Sequence, residues 1–551
     1  MEQMDKNQPE NTAQTPIQQN ESEGFIFCNP SVNPYVQARP VKPEWKLKTH
    51  DLVFAWLSLV LGFLFMRYIV VYADGFVTTG VFLLLYLFSA VYIRRTGCKP
   101  KLPHHILGAV ICGFSTVFSL TSNPLLHGLN FIFLMLAIIW RTHAVCGEKG
   151  FVSRFFPFDL SDSVFASPAF HFSAGPQAIS DSVKKSSAAT NVKTVLLGLL
   201  ITIPLTVVVA ALLSSADSGV EHLLNNALNH LTNDVTKTIF ELGCGIPVGL
   251  WLFAVLYSAA QRKLHPNPMP EDAVYEEKLA GLRMLPNLGL YAGVTPICLL
   301  YIVYVCSQTT YFLSAFAGHL PEDTIYSEYA RRGFFELCAI AVINLIVILV
   351  LTGCAKKGGK NRPKALTFYA VVLCLFTLFI IATALAKMVL YIDAYGLTSL
   401  RLYTAWFMVL LTVVFLVLLV RQFVSKLPTA AILTGSFIVL FGVLCFSRPD
   451  ARIAEYNIMR YEQKTLPDLD VNMLCGLSDD AYVVMAKHPE TLVDAEKWDY
   501  FWDQLTVRTN LYHSKPDTSW NLTAQILIQQ CNTDTGHGKL ENYCTTTEAA
   551  Q

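Results

Sequence analysis

Hydrophobic residues in this chain gather in long runs, and short polar segments separate the runs from one another. Most runs are about 20 residues long, the length of α-helix that crosses a hydrocarbon core about 30 Å thick. The pattern therefore predicts an all-α fold, a polytopic transmembrane helical bundle of about eleven spans. The predicted spans are 51–72, 76–93, 105–121, 125–140, 194–213, 237–258, 287–308, 333–352, 366–391, 402–420 and 427–446.

Two parts of this pattern leave alternatives open. The third and fourth runs are short, and they could form a re-entrant pair instead of two complete spans. The seventh run continues to Phe316 and contains Pro296, so this helix could be tilted or broken.

Composition supports the membrane class. Of the 551 residues, 53% are hydrophobic and 15% are charged, whereas about 25% of a soluble domain is charged. The formal net charge is zero, which gives no indication of a nucleic-acid partner. The 14 Cys are scattered without a C-x-x-C pair, so neither a disulfide framework nor a metal site is expected. No motif indicates a cofactor.

The chain divides into three segments. Residues 1–50 are polar and rich in Gln, Asn and Pro, which predicts a disordered tail. No small-residue cleavage site follows the first run, so that run is a retained span of the membrane domain, 51–447. Residues 448–551 carry the short helical patterns "DARIAEYNIMRYEQ" and "LSDDAYVVMAK" and then a loose polar end. They are predicted to form a small helical tail.

Lysine and arginine residues predict the orientation of the bundle. Cytoplasmic loops of membrane proteins carry an excess of these residues. With the N-terminus inside, the inner segments from Arg39 onward hold 25 of them, and the outer loops before the tail hold three, Arg331, Arg332 and Arg401. The count predicts an N-in, C-out topology that places the tail 448–551 outside. On that side the segment "SGVEHLLNNALNHL", 218–231, has one apolar helical face and predicts an amphipathic helix in the outer interface.

Several ionisable residues fall at one depth, near the outer ends of the spans. They are Arg67, Glu241, Arg331, Arg332, Glu336, Lys387, Asp393 and Arg401. Charged groups inside a membrane are costly unless they are paired or hydrated. One interpretation is a set of interfacial anchors and structural ion pairs.

A second interpretation is an outward-open cavity for an anionic small molecule or a lipid headgroup. Arginine binds carboxylate and phosphate through two donors at once, so Arg331, Arg332 and Arg401 would act as donors together with Lys387. A third is a catalytic site with Glu336 or Glu241 as acid or base. We expect the charges to form one cluster, Glu336 and Arg401 to face the protein interior, and spans eight and ten to be neighbours.

Three stretches resemble an uncharacterised family of bacterial multi-pass membrane proteins, the related groups named domain of unknown function 4153 and 4173. They are "GHLPEDTIYSEYARRGFFEL", "YIDAYGLTSLRLYTAWFM" and "ARIAEYNIMRYEQ…LDVNMLCGLSDDA", and "SSADSGVEHLL" also fits. The resemblance covers spans five to eleven and the start of the tail, whereas the first 150 and last forty residues carry no such string. It implies a bacterial cytoplasmic membrane protein, and it supplies neither an activity nor catalytic residues.

Three hypotheses for function remain, each with the lipid bilayer as a partner. The chain could transport or export an anionic or lipid-like solute, although no inverted repeat is evident. It could be a sensor or assembly scaffold whose outer tail binds an extracytoplasmic protein. It could also be an intramembrane enzyme that acts on lipid-linked substrates, so the sequence leaves open whether it is an enzyme.

Overall fold

The computed structural model describes the chain in segments. They are 45–71, 75–147, 152–184, 233–264, 275–277, 286–316, 334–355, 363–424, 426–494, 497–514 and 521–532, with a few isolated positions between 198 and 281. The predicted disordered tail (apart from its last residues), the fifth predicted span and the amphipathic segment 218–231 lie outside the described residues. Met1–Lys46 separates as a unit of its own, and the description below concerns the chain from Leu47 onward.

The regular structure in the described residues is entirely helical. The helices are α1 Thr49–Phe65, α2 Phe76–Arg95, α3 Leu102–Ser115, α4 Val117–Leu120, α5 Pro124–Cys146, α6 Phe156–Ser161, α7 Ser167–Phe170, α8 Ala174–Lys184, α9 Asn233–Leu264, α10 Asn287–Phe316, α11 Phe334–Cys354, α12 Lys364–Tyr395, α13 Ser399–Phe423, α14 Thr429–Phe446, α15 Pro449–Glu462, α16 Val471–Cys475, α17 Asp479–Met485, α18 Pro489–Asp494, α19 Trp498–Ser514 and α20 Leu522–Asn532. Two π-helical segments, Met66–Val71 and Asp162–Ala166, continue α1 and α6.

Ten helical segments within the described residues are long and apolar enough to cross a membrane. They match every predicted span except the fifth, so the all-α polytopic bundle is confirmed. The third and fourth extend further than predicted, to Leu102–Leu120 and Pro124–Cys146. Their lengths of 19 and 23 residues favour two complete spans over a re-entrant pair. The seventh is one continuous helix through Pro296.

Two large apolar cores lie among the described residues of the bundle. The first lies among α1–α5 and α14, where Phe82 and Phe441 are buried. The second lies among α10–α13, where Met408 and Phe415 are completely buried. The Trp406 indole N–H of α13 donates to a backbone carbonyl of α14 at 3.0 Å, so neighbouring helices link the two cores.

Helices α1 and α9 approach each other so closely that only glycine fits between them. A Cβ on Gly62 would collide with the backbone of Gly245 and Gly249, and a Cβ on Gly249 would collide with the backbone of α1 at Ser58. Position 58 meets 249 and position 62 meets 245, so the two helices run antiparallel. Small residues that let backbones approach in this way are characteristic of membrane helix contacts.

The helices after the last span form a third core of their own. Tyr482 of α17, Phe501 of α19 and Leu527 of α20 are completely buried in it. Only Ser447 and Arg448 separate the end of α14 at Phe446 from the start of α15 at Pro449. The C-terminal helices therefore lie at the membrane end where the last span finishes.

Candidate functional site

The predicted charged residues that the structure describes make contacts with different partners. Arg67 of the π-helical turn after α1 faces Glu241 of α9, with Nη1 3.6 Å from Oε2. The Glu241 side chain is 1% exposed, and this distance exceeds that of a hydrogen bond. Its Oε2 and the Nε of Arg67 are both buried without a hydrogen-bond partner. This is a loose ion pair inside the first half of the bundle.

Asp393, near the end of α12, pairs with the C-terminal helices. Its carboxylate accepts a hydrogen bond from Arg460 Nη1 at 3.0 Å, and its backbone carbonyl accepts one from Arg460 Nη2 at 3.0 Å. Arg460 lies on α15 and also donates to the Tyr456 hydroxyl at 2.7 Å. The sequence did not indicate Arg460 as the partner of Asp393.

Arg401 binds backbone rather than a carboxylate. Its Nη1 donates to the carbonyl of Tyr395 at 3.0 Å and to that of Gly396, and its guanidinium lies 4.0 Å from the centre of the Tyr391 ring. These contacts tie the first turn of α13 to the end of α12. The guanidinium of this half-buried residue is therefore already engaged.

The remaining predicted site residues show a mixed outcome. Lys387 is buried in α12, and Glu336 is exposed at the first turn of α11, so the expectation that Glu336 faces the interior was wrong. Arg331 and Arg332 lie outside the described residues, and a single cluster of all eight residues stays a prediction. Spans eight and ten are neighbours as expected, since Cys338 Sγ of α11 lies 3.3 Å from a sulfur of α13.

A denser polar site lies where the bundle meets the C-terminal helices, and we call it the junction. Its centre is Asp480 of α17, which is completely buried. Its carboxylate accepts hydrogen bonds from Arg448 Nε at 2.8 Å, from Thr523 at 2.9 Å and from Thr121 in the turn before α5. Arg448 Nη2 lies 2.7 Å from the same carboxylate. One side chain thus joins the end of the last span, the turn before α5 and the start of α20.

Asp450 is a second buried carboxylate of the junction. Its Oδ2 accepts from Asn123 Nδ2 at 2.8 Å and from the Ser478 amide at 3.1 Å. Asn123 also caps α5 by accepting from a backbone amide at 3.0 Å, and it donates to the Tyr403 hydroxyl of α13 at 2.9 Å. A single asparagine therefore connects the start of α5 with α13 and with the first turn of α15.

A third contact holds the turn between α12 and α13. Asn457 of α15 accepts from the Leu397 amide at 2.7 Å and donates to the Leu397 carbonyl at 2.7 Å. The preceding residue, Gly396, has φ +74°, and a Cβ there would lie 2.5 Å from the Asn457 side-chain oxygen. Glycine is needed both for this backbone conformation and for the close approach of Asn457.

The C-terminal helices are themselves cross-linked by polar groups behind the junction. Arg508 of α19 binds Asp479 at 2.8 Å and the Leu477 carbonyl at 2.8 Å, and its guanidinium lies 4.2 Å from the centre of the Tyr482 ring. Burial raises the pKa of the Tyr482 phenol, so this group stays neutral beside the guanidinium. The Asp479 amide N–H also donates to the Ser122 hydroxyl oxygen at 3.0 Å. These internal contacts fix the C-terminal helices relative to one another and so hold the junction residues on them in place.

Sequence reasoning missed most of the junction because its partners are far apart in the chain. Thr121 and Asp480 are separated by 359 positions. The sequence offered one indication of the junction, the strings that carry the family resemblance. Gly396 lies in "YIDAYGLTSLR" and Asn457 in "ARIAEYNIMRYEQ". The structure shows that these two strings bind each other.

Other polar groups lie at the opposite end of the bundle. Arg262 of α9 pairs with Asp162 at 2.5 Å and donates to Ser163 at 3.2 Å. Tyr275 lies nearby in sequence, and burial raises its pKa to about 12.

Among the described residues no group of three or more His, Cys, Asp or Glu could hold a metal ion. A cavity of about 30 Å³ between α2, α5 and α9 is lined mostly by apolar side chains, and it has room for about one water molecule.

Comparison with protein-family models matches residues 108–488 to the family described as Domain of unknown function (DUF4153). The match covers more than two thirds of the chain. It begins within α3, earlier than the resemblance indicated, and it ends just after α17, so it contains the junction residues from Thr121 to Asp480. Searches of the curated proteins and of the solved structures found no match.

Proposed function

The chain belongs to the DUF4153 family, and we propose that this integral membrane protein works as a sensor or assembly scaffold whose C-terminal helices present the partner surface. The observation that carries this proposal is the junction. Buried carboxylates on α15 and α17 bind residues of the turn before α5, and α15 also binds the turn between α12 and α13.

The chemistry of the junction supports rigid coupling. A buried carboxylate is stable only when its hydrogen bonds are satisfied in good geometry. Asp480 and the Oδ2 of Asp450 keep their hydrogen bonds only while the C-terminal helices keep their position against the bundle. A displacement of these helices would therefore strain α5 and α13, and a rearrangement of the spans would strain the C-terminal helices. Such coupling suits a protein that transmits or displays a state across the membrane.

The side of the membrane is part of the same proposal. The turn before α5, the turn before α13 and the start of α15 meet at one end of the bundle. The distribution of Lys and Arg assigns this end to the outer face of a bacterial cytoplasmic membrane. A reporter that is active only outside should work when fused after residue 447 and fail when fused after residue 360.

An in-cell crosslinking experiment tests the partner surface. Tyr500, Val507 and Leu511 are exposed on α19, and each would be replaced by a photoreactive amino acid in the full chain. The proposal expects a discrete protein adduct from at least one position. The adduct should weaken when Asn123→Ala loosens the junction, although the protein stays in the membrane. The proposal would be contradicted if Asn123→Ala left the amount of adduct unchanged, or if no position gave a protein adduct.

Transport of an anionic or lipid-like solute is the second candidate. The Arg67–Glu241 pair favours it, because a buried carboxylate with a loosely held partner is the kind of group found along membrane pathways. The π-helical turn that carries Arg67 is a further local irregularity of a type frequent at functional sites. Purified protein in vesicles should then move a labelled organic anion, and Glu241→Gln should stop this movement.

A further inference from the structure

Two cysteines meet at the end of the bundle opposite the junction. Cys98 follows α2 after a turn in which Gly97 has φ +80°, and its amide donates to the Ile93 carbonyl at 3.2 Å. Cys146 is the last residue of α5. Each of the two residues is 5% exposed, and the two sulfurs are 2.6 Å apart. The 23 residues of α5 place Cys146 about 34 Å from the junction.

The sulfur–sulfur distance discriminates between the possible relations of the two thiols. The separation of 2.6 Å is shorter than the about 3.5–4.0 Å at which non-bonded heavy atoms settle, and no disulfide bond joins the two residues in the structure. A disulfide bond of about 2.05 Å needs a movement of about half an ångström. Two thiolates on one tetrahedral zinc ion would lie about 3.8 Å apart, which requires a movement of more than 1 Å in the other direction.

The surroundings also favour a sulfur–sulfur bond over a metal. The two cysteines form a small buried cluster with Ile93 and Val145. The described residues around them supply no set of three ligands for a metal ion. We propose that Cys98 and Cys146 are a redox modification site, which forms a reversible disulfide between the α2–α3 connection and the end of α5.

The bond would form by thiol–disulfide exchange with an external disulfide, either of a small thiol or of an oxidoreductase. One protein thiolate attacks a sulfur of that disulfide, and the first external thiolate leaves and takes a proton. The second protein thiolate then attacks the protein sulfur of the mixed disulfide and expels the second external thiol. Two protein thiols lose two electrons and two protons, and the external disulfide is reduced to two thiols.

The location makes this a switch rather than a permanent link. With the C-terminal helices outside, the pair lies on the reducing cytoplasmic side, where disulfides are transient. The two residues are 48 positions apart, and the closed loop contains the third and fourth spans, Leu102–Leu120 and Pro124–Cys146. Oxidation would therefore fix the ends of α2 and α5 together and restrict the third span between them. The pairing of the two cysteines does not depend on the proposed scaffold function, whereas the transience of the bond rests on the proposed outer position of the C-terminal helices.

Differential thiol labelling of the full chain in native membranes tests the site. Membranes would be treated with reductant or with diamide and trapped in acid. Free thiols would then be blocked with N-ethylmaleimide under denaturing conditions. After reduction, the released thiols would be labelled with a polyethylene-glycol maleimide. After diamide we expect two added labels, and tryptic peptides joined through Cys98 and Cys146. Cys98→Ser and Cys146→Ser should each abolish both labels, whereas Cys112→Ser should retain them.

Cys98→Ala and Cys146→Ala are further controls. They remove the thiols without adding the buried hydroxyl of serine, which could itself disturb folding. Failure to form the joined peptides after diamide would overturn the proposal, and so would pairing of either cysteine with a different thiol. The two thiols could instead be protected from labelling in a way that a chelator reverses and a reductant does not. That result would identify a metal thiolate and would also overturn the proposal.

Discussion

The contact between α1 and α9 and the junction of the C-terminal helices stabilise the molecule in opposite ways. At the first contact, Gly62, Gly245 and Gly249 bring two backbones together, and the fit is one of shape. At the junction, side chains and one backbone amide from distant segments bind buried carboxylate oxygens at distances of 2.7–3.1 Å. One contact depends on the absence of side chains, and the other depends on particular side chains.

The difference follows from the surroundings of each contact. In the hydrocarbon core, lipid tails are as apolar as the helix surface, so close packing has to supply the association. At the membrane end water competes for every polar group, and only groups removed from it gain strongly from pairing. We therefore expect the α1–α9 contact to be sensitive to volume and the junction to be sensitive to polar chemistry. The predictions below test that division, from the largest expected effect to the smallest.

Gly62→Leu should have the largest effect. The new side chain would meet backbone atoms of α9, which cannot rotate away as a flexible side chain can. We expect a loss of more than about 4 kcal/mol and very little folded protein. Size-exclusion chromatography in detergent would measure the folded fraction. The matched control is Gly80→Leu on α2, where no atom lies within 4 Å of the added Cβ. Equal losses for the two variants would mean that shape does not stabilise this contact.

Asp480→Ala should destabilise the protein by about 3 kcal/mol, because it leaves Arg448 and Thr523 without their acceptor. The value lies at the low end of the usual range since the Arg448 side chain is 36% exposed and can be rehydrated. Thermal unfolding in detergent would report the loss. Asp468→Ala, at an exposed position of the same segment, is the control and should change stability by less than about 0.5 kcal/mol. A similar result for both aspartates would refute the role of buried polar chemistry.

The two contacts also differ in how far the sequence predicts them. Long apolar runs specify the spans, since each run carries its own length and composition, and ten of the eleven are found in the described residues. The junction depends on pairs such as Thr121–Asp480, whose members lie in separate segments and carry no common spacing. Asp393 was found from its position, but its partner Arg460 was not, because the two residues are 67 positions apart and no pattern in the sequence links them. Charge and depth in the membrane indicate a residue that needs a partner, and the fold decides which one it finds.

Asn457→Ala should cost about 2 kcal/mol, less than the loss of a charged group. It removes two hydrogen bonds to Leu397 and leaves backbone groups of a half-buried turn unpaired. Asn457→Asp should recover part of the loss, since a carboxylate accepts from the Leu397 amide and cannot donate to the carbonyl. Hydrogen exchange at the turn 396–398 would measure the opening. Asn472→Ala, at an exposed site on α16, is the control, and faster exchange there too would show that the effect is not local.

The Arg67–Glu241 pair should have the smallest effect, and it tests whether charge contributes at all to the α1–α9 contact. The separation of 3.6 Å exceeds that of a hydrogen bond, and the Arg67 side chain is 36% exposed, so water screens the attraction. A double-mutant cycle with Arg67→Ala and Glu241→Gln should give a coupling energy below about 1 kcal/mol. The single change Glu241→Gln should be neutral or stabilising, because a buried amide costs less than a buried carboxylate whose partner is loose. A coupling energy of about 3 kcal/mol or more would show that charge stabilises this contact along with shape. The two regions would then differ in degree, and the distinction between a contact made by shape and one made by polar chemistry would fail.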